Sequence, residues 1–133
     1  MANTNVLAAF PRTLKGEVVH AHFLIFPQDT ADPVVTGDLA FMASCVRSAA
    51  GVYTLTLKDT WAQLINAQVS LQFPTSAPLP FVAAIGDVLP TNTSAVDVLV
   101  LAGFGTGDTL AGADIDANAG AVSLFLVLRN SAS

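Results

Sequence analysis

The sequence predicts an all-β domain: an antiparallel β-sandwich or small barrel, of the jelly-roll kind, with one short helical turn and an extended N-terminal arm. Three observations carry this. Between residues 52 and 58, Tyr53, Leu55 and Leu57 alternate with Thr54, Thr56 and Lys58, the period of two that turns one face of a strand inward. Residues 67–73 repeat the alternation, with Ala67, Val69, Leu71 and Phe73 set against Gln68, Ser70 and Gln72. Residues 121–128 form an apolar run broken only by Ser123, as in a strand covered on both faces, or covered on one face and set against a subunit on the other. Seven or eight strands can be counted with hardly any helical periodicity, so the 133 residues read as one domain, 1–14 being the arm and 15–133 the β body.

Taken in order, residues 1–14 are mixed in character and Phe10-Pro11 opposes helix, which makes them an arm suited to lying on a neighbour. Residues 17–26 form a strand with Val19, Ala21, Phe23 and Ile25 on one face and His20, His22, Leu24 and Phe26 on the other. Residues 27–38 hold Pro27, Pro33, Gly37 and three aspartates, a loop composition with room for a short strand at Val34-Val35. Residues 41–47 are a weaker strand, joined to the next by Ser48-Ala49-Ala50-Gly51, where Gly51 can take positive φ and close a hairpin. Asp59 and Thr60 can cap one helical turn that gathers Trp61, Leu64 and Ile65 at spacings of three and four and plugs one end of the sheet. Prolines stiffen the connection 74–80. Residues 81–89 are a strand with a bulge at Gly86-Asp87, 95–102 is a strand, and 103–120 is a loop rich in Gly, Ala and Asp.

Hydrophobic residues make up 53% of the chain and charged residues 11%. Counting the nine Gly and leaving out the one Tyr brings the apolar share to about 59%, against roughly 45–50% apolar and 25% charged in an average soluble domain. One small core does not absorb that surplus, so a homo-oligomer is expected, with Val122, Leu124, Leu126 and Leu128 of the final strand as its candidate interface. The net charge of −5 speaks against a nucleic-acid partner: the five cations are scattered, and beyond Lys58 only Arg129 answers six aspartates. The first residues lack the basic and apolar regions of a signal peptide. The longest charge-free run, 60–86, holds three prolines and many amides and hydroxyls, so no membrane partner is expected.

No catalytic constellation emerges, and no catalytic residue, cofactor or metal is expected. His20-Ala21-His22 places two imidazoles on one strand face, a spacing that metal-binding barrels use. The later Glu and distant His of a cupin-like metal enzyme are missing, which leaves hydrogen-bonded or interface histidines. Asp114-x-Asp116-x-Asn118 begins like a calcium loop, but Ala119 stands where Gly should follow and Phe125 where the bidentate acid should be, so loop-ordering Asx-turns are the plainer reading. Gly103-Phe104-Gly105-Thr106-Gly107 has neither the helix nor the Lys of a phosphate cradle. Cys45, the lone cysteine, lies in an apolar strand and reads as a structural thiol.

The segment from Arg47 through Gly51-Val52-Tyr53-Thr54-Leu55-Thr56-Leu57, Trp61 with Gln68-Val69-Ser70-Leu71-Gln72, and the ending from Asp114-x-Asp116-x-Asn118 to Val127-Leu128-Arg129-Asn130-Ser131 resemble small β-rich capsid decoration (cement) proteins of tailed bacteriophages. The resemblance covers roughly residues 41–131. It implies a β-sandwich or tulip-like subunit, a non-enzymatic virion protein made in the host cytoplasm. It further implies that this subunit binds the major capsid protein on the outer surface of the shell as a homotrimer and stabilises it. Phe10, Arg12 and Lys15 of the arm are then the candidate capsid contacts. Two alternatives accompany it. One is a carbohydrate- or receptor-binding β module of a phage particle or tail, for which loop aromatics are wanted and Phe104 is the one loop aromatic in the acidic half; the other is a cupin-like metal enzyme using His20 and His22.

Overall fold

A computed structural model describes residues 18–73, 81–102, 111–117 and 119–130, and nearly all of them are antiparallel strand. The strands are β1 (Val18–Gln28), β2 (Ala31–Gly37), β3 (Met42–Ala49), β4 (Val52–Gln72), β5 (Phe81–Val88), β6 (Thr91–Ala102), β7 (Ala111–Gly112) and β8 (Ala121–Arg129). They pair in the order β2-β1-β8-β4-β6-β5, with β3 also on β4 and β7 on β6.

The organising element is β4, a strand of 21 residues. Its first part pairs with β3 (Tyr53 opposite Arg47, Leu55 opposite Cys45) and with β6 (Tyr53 opposite Val98, Leu55 opposite Val96). Its last part pairs with β8, Ala67 opposite Leu126 and Val69 opposite Leu124. One strand therefore belongs to two half-sheets, and the sheet doubles over so that both inner faces share one core. Ala21, Phe23 and Ile25 of β1, Tyr53 and Leu55 of β4, Val96, Val98 and Val100 of β6 and Val122, Leu124, Leu126 and Leu128 of β8 are all buried in it. This is a sandwich made from one open sheet, since β2 and β5 end the pairing without meeting. β2 runs beside β3, and β5 beside β4, along its two edges.

The helical turn expected from Asp59 is not there: residues 59–65 continue β4, and among the described residues the one short helical turn lies at Leu39–Phe41. The physical reason is a pair of register shifts, between Thr56 and Trp61 and between Leu64 and Asn66. These irregularities set Trp61 and Leu64 on the core side three residues apart, a spacing that imitates a helix. Trp61 is half-buried, packed against the core with its ring 6.1 Å from that of Phe41. Trp61→Ala is accordingly expected to cost about 2–3 kcal/mol in a urea titration, less than the roughly 3–5 of a fully enclosed aromatic. A loss under about 1 kcal/mol would show that the ring does no packing.

β2 fills most of the segment read as loop, and β6 begins four residues before the expected 95. The expected bulge is present, as β5 loses register between Ile85 and Val88. Gly51 closes the β3–β4 hairpin with φ of 69°. The arm 1–14, the connection 74–80 and the glycine loop 103–107 lie outside the described residues.

Candidate functional site

β8 is an inner strand of the half-sheet β2-β1-β8-β4, and its two faces do different things. Val122, Leu124, Leu126 and Leu128 point inward and are fully buried within the single chain. This corrects their assignment as an oligomer interface, because reaching them would require opening the core. The apolar run of β8 reflects an inner position in the chain's own sheet.

The opposite face of β8 carries Ser123, Phe125 and Val127, each half-buried. Register builds a grid around them. His22 of β1 and Gln68 of β4 stand directly opposite Phe125; Leu24 and Ser70 flank Ser123; His20 and Asn66 flank Val127. Both predicted histidines are therefore on this face, exposed, and both pack on Phe125, with ring centroids at 5.6 Å (His20, edge-on) and 6.5 Å (His22, tilted). His22 Nε2 shares a hydrogen bond of 2.7 Å with Ser123 Oγ, and the His22 backbone N–H donates to Asp38 Oδ2 at 2.7 Å. The imidazoles are thus held by an aromatic ring and a hydroxyl. Among the described residues no three His, Cys, Asp or Glu side chains come together in a way that could hold a metal ion.

A second polar cluster ties down one end of the sandwich. Arg47 stands on the same face of the sheet as Tyr53, its cross-strand partner, and its guanidinium clamps Asp114 from two nitrogens, Nε to Oδ1 at 2.8 Å and an Nη to Oδ2 at 2.7 Å. Asp114 Oδ1 also accepts from the Gly51 backbone N–H at 3.0 Å, and Asp32 Oδ1 accepts from the Arg47 backbone N–H at 3.0 Å. The Asp29 N–H donates to Ile115 O at 3.0 Å, which joins the β1–β2 turn to the same segment. Asp114, the first residue of the Asp114-x-Asp116-x-Asn118 stretch, is thus occupied by an arginine; Asn118 lies outside the described residues.

Hydrogen bonding from Arg47, helped by the Gly51 N–H and opposed by burial, holds the Asp114 carboxyl below its ordinary 3.8. A carboxylate whose pKa is lower folded than unfolded stabilises the fold above its unfolded value, and that contribution disappears as pH falls through the folded value. Asp114→Asn is therefore expected to lower Tm at pH 7, with the gap to the parent protein closing as the melts are taken below the ordinary 3.8 and through the lower value of the folded state. A gap that stays constant from pH 7 to pH 2 would contradict the ion pair.

The Cys45 thiol is pushed up to about 12, by burial first and by the charge of Asp32 second, which leaves it a neutral packing group at the rim of the core. The Tyr53 hydroxyl is likewise pushed up to about 12, by burial and then by Asp114. No described helix is long and apolar enough to cross a membrane. Phe10, Arg12 and Lys15 lie outside the described residues. No known protein-family model, no curated protein and no solved structure matches the chain.

Proposed function

We propose that the protein is a non-enzymatic structural subunit that binds the outer surface of a bacteriophage capsid as a homo-oligomer, a trimer, and stabilises the shell. The association half of this reading is carried by one observation. The exposed large apolar side chains among the described residues fall into two sets along the chain: Val34 of β2, Leu39 of the turn after it and Val46 of β3, and then Ile65 of β4, Val82 of β5 and Leu89 just after β5. Two unlike sets, carried by different strands, suit a head-to-tail contact that closes into a ring, in which one set on each subunit meets the other set on the next. The same patch facing itself across a two-fold axis would need only one of them. The choice of a capsid as the partner rests on the resemblance of residues 41–131 to decoration proteins.

The test is sedimentation with empty shells of the virus that encodes the chain, followed by heating of the decorated and bare shells. Saturable binding and a raised shell melting temperature are expected. If docking runs through Arg12 and Lys15, binding weakens with added salt while the apolar subunit contacts persist. Absence of co-sedimentation in low salt would remove the capsid reading.

A further inference from the structure

The outer face of the β1–β8–β4 half-sheet holds an aromatic ring among neutral hydrogen-bonding side chains, and we infer that it is a binding site for a neutral sugar. Phe125 is backed on its β1 side by His20 and His22, while on its β4 side a shallow cavity of about 400 Å³ is lined by Gln68, Val69, Ser70, Ser123 and Phe125. That volume lies in the range of roughly 300–1,000 Å³ of small-molecule sites. The Gln68 and Ser70 side chains are exposed and have no hydrogen-bond partner among the described residues, and the Ser123 hydroxyl is oriented by His22 Nε2.

The lining chemistry narrows the ligand class. None of the lining residues is charged, so a charged ligand would find no counter-charge, and the chain's net charge of −5 repels polyphosphates. A purely apolar ligand would cover an amide and two hydroxyls without satisfying them. A peptide added as a strand needs a free sheet edge, whereas β8 and β4 are already paired to each other beneath this cavity. What remains is a molecule with an apolar face to lay on the Phe125 ring and, around its rim, groups that both donate and accept, as the amide and hydroxyls here do. The C–H face and hydroxyl rim of an uncharged pyranose have that form. The site uses none of the six exposed apolar side chains assigned to subunit contacts, so it stands or falls separately from the capsid reading.

The test is an NMR titration of the full chain with a panel of neutral oligosaccharides of glucose, galactose, mannose and N-acetylglucosamine at up to about 20 mM, well above a millimolar Kd. At least one sugar is expected to shift the amides of Phe125, Gln68, Ser70 and Ser123. Phe125→Ala should weaken binding about fivefold to tenfold, the equivalent of one lost aromatic contact. Gln68→Ala alters only an exposed side chain, so a weakening there with an unchanged circular dichroism spectrum reports the site apart from the fold. Overturning results are no shift with any sugar in the panel, shifts elsewhere on the protein, binding untouched by both substitutions, or an equal response to cyclohexanol, which has an apolar ring without the hydroxyl array.

Discussion

Leu126→Ala is expected to lower the stability of the fold by about 3–5 kcal/mol, the range for a large aliphatic side chain removed from a packed core. Leu126 is fully buried, paired with Ala21 on one side and Ala67 on the other, and belongs to the same core cluster as Tyr53, Leu55 and Val98 of the other half-sheet. Two small cross-strand neighbours leave little side chain that could move into the space, so most of the cavity would persist. Urea denaturation with a fitted midpoint and slope measures the loss. The variant should keep the parent's subunit number below its unfolding transition. Dissociation without destabilisation would return Leu126 to a subunit interface and contradict its placement in the core.

Gly51→Ala is expected to cost about 3–4 kcal/mol, with two causes acting together. Gly51 has φ of 69°, where an L side chain is strained, and an added Cβ would lie 2.3 Å from Val100 O and 2.5 Å from the Ala113 backbone nitrogen. Neither atom belongs to a side chain that can swing aside. The Gly51 carbonyl accepts from the Val100 N–H at 2.7 Å and its N–H donates to Asp114, so shifting the turn also loosens the Arg47–Asp114 clamp. Thermal unfolding of this variant beside Asp114→Asn separates the two contributions. A cost below about 1 kcal/mol for Gly51→Ala would show that the turn relaxes freely.

The parts of the fold legible in the sequence were those in which one face is buried and the period of two survives. Tyr53-Thr54-Leu55-Thr56-Leu57 and the Gln68, Ser70, Gln72 alternation announce both ends of β4, and Gly51 announces its hairpin. Only Val34-Val35 of β2 is legible as strand, because Asp32, Pro33 and Gly37 around it belong to a strand at the end of the sheet, where turn-type residues are tolerated and discourage further pairing. The middle of β4 imitates a helix in the sequence because register shifts alter the spacing of inward residues, and a shift depends on partners far away in the chain. The same limit applies to the outer face. His20 and His22 were visible as a pair, but bringing Phe125 between His22 and Gln68 needs the β1–β8 and β8–β4 registers, which join segments more than fifty residues apart. The available signal was Ser123, the single polar break in the last strand, which marks the odd positions of β8 as its outer side.

Light scattering after size exclusion at micromolar concentration tests association most directly. The expected mass is three times the 13.7 kDa chain, about 41 kDa, at both low and high salt. Val46→Lys and Val82→Lys, one from each exposed set, should each dissociate the assembly while leaving the subunit folded. A monodisperse monomer of 13.7 kDa in both salts would contradict the head-to-tail oligomer.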